Sequence, residues 1–161
     1  MSPDRNLVIE SPRLDLVLES TESVLARIEA LSPADRAEVS PDWIERMRNS
    51  APSPWTHGFA IVERESKAIV GGCAYKGPPD ENGIVEIAYG VEPAFRKRGY
   101  AREAAAALVT YATDAGVRLV CAHTRPDNEA SARVLESCGF ECLGEVMDPE
   151  DGLVWRWERR A

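Results

Sequence analysis

Regular spacing of apolar residues near the N-terminus predicts the first two elements of the chain. In residues 13–19, Leu14, Leu16 and Leu18 recur at every second position, which is typical of a half-buried strand. Over residues 21–31 the apolar spacing changes to three and four, which is typical of an amphipathic helix. A strand followed by a helix therefore opens the fold.

The rest of the pattern predicts an α/β fold. The remaining predicted elements are a helix over residues 41–48, strands over 58–63, 68–75 and 84–91, a helix over 102–115, a strand over 117–123, a helix over 127–138, and strands over 140–147 and 153–158. The order is β-α-α-β-β-β-α-β-α-β-β. Residues 84–123 form one β-α-β crossover, so we expect one parallel contact in a mixed, mostly antiparallel sheet with helices on both faces.

Length and composition favour one globular domain. The chain has 161 residues, of which 44% are hydrophobic and 29% are charged. These values suit a single domain over residues 1–161, with a core from about residue 10 to about residue 159. No apolar run approaches the roughly 20 residues of a spanning helix, and the first ten residues lack a secretory signal. We therefore expect a cytoplasmic protein with no membrane partner.

Charge and cysteine content exclude further classes. The formal net charge of −8 argues against a nucleic-acid partner, since such binders carry a basic surface, and it is compatible with an amine-bearing substrate. The four cysteines form no C-x-x-C pair and only two histidines occur, so we expect no metal site. Cys73 and Cys121 lie in apolar strands and are expected to be buried thiols. A disulfide involving Cys138 or Cys142 stays open.

A basic, glycine-containing turn between the strongest strand and a helix is a candidate anion site. Gly99 allows a ligand to approach the backbone closely, and the first amides of the following helix have no internal partners. Together with the helix dipole and three neighbouring cationic side chains, these amides could hold a pyrophosphate. The alternative is a solvated basic turn before an ordinary helix. The segment is Arg96-Lys97-Arg98-Gly99-Tyr100-Ala101.

This segment resembles the cofactor motif of the GNAT superfamily of acetyltransferases. The family pattern is Gln/Arg-x-x-Gly-x-Gly/Ala after a strand ending Val-x-Pro, which here is Val91-Glu92-Pro93. Downstream, Asn128-x-x-Ser131 followed by Gly139-Phe140 resembles the family's second cofactor region. Ser11-Pro12-Arg13-Leu14 resembles the opening of the RimJ/RimL-like branch. The resemblance covers nearly the whole chain, and the predicted element order is that of the family.

The resemblance implies an acetyl-CoA-dependent N-acetyltransferase that works by direct attack of an amine on the thioester. Strand 84–91 would splay from strand 117–123, and the pantetheine arm would lie in the gap. The Val91 amide would polarise the thioester carbonyl, and Asn128 would contact the pantetheine. The residues implied in cofactor binding are Tyr89, Gly90, Val91, Arg96, Lys97, Arg98, Gly99, Tyr100, Ala101 and Asn128.

Glu86 is the candidate general base. It interrupts an apolar run, and a carboxylate partly removed from water takes up a proton more readily. The RimJ/RimL-like branch has a glutamate at the corresponding strand position. The alternative is that Glu86 faces solvent or pairs with an arginine. His123, in a strand, is more often structural than a base.

Ser131 is the candidate general acid. Many family members carry a tyrosine seven residues after the equivalent of Asn128, and this chain has Leu135 there. The branch suggests Ser131, one helical turn beyond Asn128, whereas an ordinary first-turn serine is the alternative. Tyr89 and Tyr100 are weaker candidates for the same role.

The resemblance leaves the acceptor open. It could be a protein N-terminus or a small-molecule amine, including an aminoglycoside-like compound. Trp43 or Trp55 could shape the acceptor pocket, whereas Trp155 and Trp157 are expected in the core. A homodimer is one option for the assembly. A second functional class, a catalytically degenerate acyl-CoA-binding or sensor module, draws its support from the missing tyrosine at Leu135.

Overall fold

The computed structural model describes residues 7–149 and 152–160. The strands are β1 (Val8–Glu10), β2 (Leu14–Leu18), β3 (Phe59–Glu63), β4 (Ile69–Tyr75), β5 (Ile84–Val91), β6 (Leu119–Thr124), β7 (Glu141–Asp148) and β8 (Gly152–Arg160). The α-helices are α1 (Thr21–Glu29), α2 (Pro33–Ala37), α3 (Pro41–Arg48), α4 (Tyr100–Asp114) and α5 (Glu129–Ser137). The prediction that the first ten residues carry no secretory signal falls partly on residues 1–6, which lie outside the described residues.

The strands form one mixed sheet in the order β1-β2-β3-β4-β5-β6-β8-β7. All neighbouring pairs are antiparallel except β5 and β6, which are parallel. The helix α4 connects these two strands, so the predicted β-α-β crossover and the predicted fold class are confirmed. Apolar side chains at every second position of β2 are buried, as the alternation indicates, namely those of Leu14, Leu16 and Leu18.

Helices cover both faces of this sheet. On one face α4 packs against β1, β2, β4, β5 and the helix α5, and Leu108 of α4 is fully buried there. A separate small cluster of Val24, Ile28 and Met47 joins α1 to α3 over the other face. Gly116 has a φ of 91° just after α4, the left-handed conformation that commonly ends a helix.

The structure corrects the predicted order by adding two short elements, the strand β1 and the helix α2. The strand β1 has only Ile9 buried, so no apolar alternation announces it. The helix α2 buries no side chain and is instead formed by local chemistry. Ser32 caps it by accepting a hydrogen bond from the Asp35 amide, and Pro33 occupies its first turn. The Ser32-Pro33 pair therefore starts a short helix just after α1 has ended at Glu29.

The four cysteines are free thiols. Cys73 and Cys121 are buried, as the apolar strand pattern predicts, and burial raises the pKa of Cys73 to about 12 and that of Cys121 to about 11. Cys138 and Cys142 are not joined in a disulfide. Trp157 lies in the core, where its indole NH donates a hydrogen bond of 2.9 Å to Thr124 Oγ1.

Candidate active site

The turn before α4, residues 96–101, presents unpaired backbone donors; we name it the anion loop. Its backbone takes positive φ angles at Lys97 (66°) and Gly99 (82°), and Gly99 caps the helix without a side-chain hydrogen bond. Among the described residues, the amides of residues 97–102 donate no hydrogen bond, because the first bond into the helix runs from the Glu103 amide to the Gly99 carbonyl. Consecutive free amides at a helix N-terminus form a site for an anion.

The segment before β2 braces the anion loop. Arg13 Nη1 donates to the Arg98 carbonyl at 2.9 Å, Arg13 Nε donates to Glu103 Oε1 at 2.8 Å, and the guanidinium lies 4.8 Å from the centre of the Tyr100 ring. Although burial opposes ionisation of Glu103, hydrogen bonds from Ser11 and Arg13 hold the pKa of this carboxyl below its ordinary value. Sequence analysis noted Arg13 only as part of a resemblance and missed this bracing role.

The side chains of the anion loop have separate surroundings. Arg96 turns back and donates from Nε to the Val91 carbonyl at 3.0 Å, and the Arg98 guanidinium lies 5.6 Å from the centre of the Phe95 ring. The Tyr100 side chain is buried and its hydroxyl donates to the Glu63 carboxylate. The Tyr100 hydroxyl is therefore held by Glu63, and Tyr100 contributes only its backbone amide to the anion loop.

Strands β5 and β6 separate halfway along their length. Their parallel pairing runs from Ile84 to Glu86 on β5, and the rest of β5 pairs only with β4. The carbonyl of Glu86 accepts from the Lys76 amide just after β4, and the amide of Glu92 donates to the Val70 carbonyl in β4. The strict alternation of an antiparallel ladder therefore turns the backbone groups of Tyr89 and Val91 toward the gap. Gly90, by the same alternation, turns its backbone toward its partner Gly72 on β4.

A channel of about 240 Å³ fills this gap and carries a pair of hydroxyl groups on its α5 side. Tyr89 and Ser131 lie there with their hydroxyl oxygens 2.9 Å apart. Burial raises the pKa of Tyr89 to about 12, so the phenol stays protonated at neutral pH. Asn128 caps α5 by accepting the Ser131 amide at 3.1 Å, and Leu135 is fully buried at the channel wall.

An acidic and basic cluster occupies the opposite end of the channel. Glu86 Oε2 lies 3.0 Å from His123 Nδ1 and 3.2 Å from Lys76 Nζ. The side chains of Glu86 and His123 are 25% and 18% exposed, so the pair is partly sheltered from water. Glu86 therefore neither faces open solvent nor pairs with an arginine. Sequence analysis gave His123 little weight, and no local pattern signals that it meets Glu86.

A wider groove of about 1250 Å³ lies between the sheet and the helices α1 and α3. Small residues of β4 and β5, Gly72, Ala74 and Ala88, form part of its floor. Trp43 and Trp55 both line it. The ring of Trp55 also packs 4.8 Å from that of Tyr75, so this tryptophan belongs in part to the core.

Comparison with known proteins decides the family. The family model described as the acetyltransferase (GNAT) domain matches residues 12–141, which is most of the chain.

The chain belongs to the GNAT acetyltransferase family.

Relatives and solved structures agree with this family. The uncharacterized N-acetyltransferase YjdG of Bacillus subtilis is 38% identical over 89 residues, which span 53% of this GNAT chain and 53% of YjdG. The chain thus matches about half the length of this curated relative. Among solved structures, the ribosomal α-N-protein acetyltransferase RimL in complex with coenzyme A has a TM-score of 0.72 at 18% identity, covering 96% of this chain and 98% of RimL. A chimera of Vibrio cholerae spermidine N-acetyltransferase also has a TM-score of 0.72, at 15% identity, covering 92% and 95%.

Within residues 7–149 and 152–160, no group of three or more histidine, cysteine, aspartate or glutamate side chains is placed to hold a metal ion. In the same ranges of this GNAT chain, every helix is too short or too polar to cross a membrane.

His57, to which the sequence assigns no role, ties a loop to two helices beside the wide groove. Its Nδ1 accepts the Ser53 amide at 3.3 Å and lies 2.8 Å from Thr56 Oγ1, so Nε2 carries the proton toward Thr21 Oγ1 at 2.8 Å. Thr21 Oγ1 in turn donates to the Ser50 carbonyl just after α3. Burial lowers the pKa of His57 below its ordinary value.

We expect this buried imidazole to make stability depend on pH. Because the folded pKa is lowered, the unfolded chain binds more protons, so the contribution of His57 is complete above about pH 6.5 and is lost as the pH falls below it. Thermal unfolding at about pH 8 and about pH 5.5 measures the loss. His57→Gln, which cannot titrate, should lose less in melting temperature between the two pH values. An equal loss in both proteins would contradict the prediction.

Proposed function

We propose that this protein transfers the acetyl group of acetyl-CoA to a primary amine by direct attack of the amine on the thioester. The observation that carries the proposal is the row of free amides at residues 97–102, placed beside the gap between β5 and β6. An anion site and an adjacent slot for an extended arm suit the two ends of one acyl-CoA molecule.

The backbone supports the fit of the cosubstrate. The diphosphate would accept hydrogen bonds from the anion loop, whose amides are those of Lys97, Arg98, Gly99, Tyr100 and Ala101. The pantetheine arm would pair with the backbone of Tyr89 and Val91 in the gap, with the Val91 amide directed at the thioester carbonyl. At Gly90 the absence of a side chain would leave room for the arm, and Asn128 would approach it from the start of α5.

Proton transfer would use both ends of the channel. We assign removal of the amine proton to the cluster around Glu86 and protonation of the departing sulfur to Ser131 with Tyr89. The two hydroxyls, 2.9 Å apart, occupy the part of the channel to which Leu135 contributes only an apolar wall. They supply the donor that the leucine lacks, which favours an active enzyme over the degenerate acyl-CoA-binding module.

The acceptor would enter through the wide groove. RimL is named for a protein substrate and the Vibrio cholerae enzyme for spermidine, so proteins of this fold act on both macromolecular and small amines. For this chain, the small-residue floor and the opening of about 1250 Å³ suit a protein N-terminus or a small-molecule amine alike.

Calorimetric titration with acetyl-CoA tests the cosubstrate, and release of free CoA thiol in a screen of peptides and small amines tests the transfer. We expect binding and, for at least one amine, turnover that is lost in Glu86→Gln while acetyl-CoA still binds. No binding at millimolar acetyl-CoA would overturn the proposal. Binding without turnover for any amine would favour the acyl-CoA-binding module instead.

Removing the phenol at the channel should slow transfer without weakening binding. In Tyr89→Phe we expect kcat to fall by about 10- to 100-fold, because the departing sulfur loses a positioned proton donor. Ser131→Ala should have a smaller effect, since the phenol remains. Tyr111→Phe, which removes a hydroxyl outside the channel, serves as the matched control with unchanged turnover. Equal kcat in Tyr89→Phe and Tyr111→Phe would exclude Tyr89 from the reaction.

A further inference from the structure

We infer that His123 takes the proton from the attacking amine and that Glu86 acts as the positioning residue that orients its ring. This inference rests on the proposed function and deepens it. It concerns which atom of the cluster at the channel meets the substrate. The family resemblance implies that Glu86 is the base. The contacts of the two side chains instead indicate that the imidazole of His123 is the better proton acceptor.

The contact between the two residues determines which ring nitrogen carries the hydrogen. An ionised carboxylate can only accept hydrogen bonds, so at 3.0 Å from Glu86 Oε2 the His123 Nδ1 must be the donor. In a neutral imidazole one nitrogen donates and the other has a lone pair. The contact with Glu86 therefore leaves the lone pair of His123 on Nε2.

Nε2 of His123 is unpartnered and reachable by solvent. Among the described residues, Nε2 has no hydrogen-bond partner. Every buried side-chain nitrogen or oxygen in those residues does have a hydrogen-bond partner. Nε2 therefore cannot be a buried atom, although the His123 side chain as a whole is only 18% exposed. His123 lines the channel, and we assign its free lone pair to the acceptor amine that would meet the thioester there.

One oxygen of the Glu86 carboxylate is less available for the same task. Oε2 is already shared between His123 Nδ1 and Lys76 Nζ, at 3.0 and 3.2 Å. These contacts hold the carboxylate in place, as expected for a group that orients a base. On the other side of His123, its cross-strand neighbour Arg156 is bonded to Glu158 at 2.7 Å. The charged groups around the imidazole thus include Lys76, Glu86, Arg156 and Glu158, and Arg125 lines the same channel.

The amine nitrogen forms a bond to the acetyl carbon, and the carbon–sulfur bond breaks with its electron pair on sulfur. The proton of the amine moves to His123 Nε2, and the sulfur receives a proton from the hydroxyl pair of Tyr89 and Ser131. Solvent then takes the proton from the imidazole and restores that of the hydroxyl pair, so the net products are the amide and the free thiol of CoA.

His123→Asn distinguishes a base from a structural partner. The asparagine amide can keep a donor where Nδ1 lies, and with it the contact to Glu86, but it cannot accept a proton. We expect kcat to fall by about 100-fold or more, the usual contribution of a general base, while acetyl-CoA affinity and melting temperature stay unchanged. If His123 only holds Glu86 in place, His123→Asn will keep activity within about threefold of the original, which would overturn the inference.

Nitrogen-15 NMR of the histidine rings gives a second test that needs no acceptor, and its deciding measurement is made on the unaltered protein. At about pH 8 we expect His123 to carry its hydrogen on Nδ1 in the unaltered protein. In Glu86→Gln that preference should weaken, because the glutamine amide can either accept from Nδ1 or donate to it. A hydrogen found on Nε2 in the unaltered protein would overturn the inference.

The outcomes separate this inference from the proposed function. If the unaltered protein neither binds acetyl-CoA nor releases CoA thiol, the proposed function fails, and the assignment of His123 fails with it. If the unaltered protein turns over and His123→Asn does so equally well, only the assignment of His123 fails. Turnover lost in His123→Asn, together with hydrogen on Nδ1, supports both.

Discussion

Replacing Gly71 with alanine is expected to destabilise the protein by about 3 kcal/mol, the upper part of the usual cost of overpacking. A Cβ at this position of β4 would lie 2.1 Å from the Gly90 carbonyl oxygen and 2.9 Å from Val91 Cα. Both atoms belong to the backbone of β5, which cannot move aside without disturbing the ladder. We expect a lower melting temperature by roughly 6–12 °C in thermal unfolding, since 1 kcal/mol corresponds to about 2–4 °C at this size.

The same change should weaken acetyl-CoA binding, because the displaced part of β5 includes the amide that faces the gap. Gly72→Ala is the matched control. Its added Cβ would meet the Phe59 carbonyl at 3.6 Å, an ordinary contact. We expect it to change the free energy of unfolding by less than about 1 kcal/mol and to leave acetyl-CoA affinity intact. Equal losses of stability in Gly71→Ala and Gly72→Ala would contradict the role given to this close approach.

A negative charge in the anion loop should abolish most of the affinity for acetyl-CoA while leaving the fold intact. Ala101 lies in the first turn of α4, where a carboxylate stabilises the helix through its dipole. The same carboxylate would repel a diphosphate held by the neighbouring amides. For Ala101→Glu we expect a loss of about 2 kcal/mol in binding, or about thirtyfold in Kd, with a melting temperature that is unchanged or higher.

Ala101→Gln separates charge from size. It has almost the same shape as the glutamate variant, so its Kd should stay within about fivefold of the original value. The difference between the two variants should shrink at high salt, since screening weakens repulsion between exposed charges. Calorimetric titration with acetyl-CoA measures both effects. If the two variants bind equally well, the diphosphate does not lie at the anion loop.

Most of the fold could be predicted because its signals are local. The alternation of Leu14, Leu16 and Leu18 indicates a strand wherever one face is buried, and Gly116 marks a helix end through its freedom to take a positive φ. The elements that sequence analysis missed, β1 and α2, contribute almost nothing to the core, so no apolar period reveals them.

The candidate site likewise has one part that follows from neighbouring residues and another part that does not. The anion loop could be predicted because it depends on consecutive residues, namely a glycine, a helix start and a cationic run. By contrast, the contact between Glu86 and His123 and that between Tyr89 and Ser131 join residues 37 and 42 positions apart in the chain. Nothing near any of these residues in the sequence indicates its partner, and for that reason His123 was given little weight.

The amino-acid sequence by itself determined the α/β class, the main elements and the basic turn of residues 96–101 before α4, because these follow from propensity, period and the chemistry of neighbouring residues. The tertiary structure alone decided where β5 leaves β6, which backbone groups turn into the gap, and which side chains face each other across it. Those features depend on the register of strands far apart in the chain, and register is settled only when the whole sheet packs against its helices.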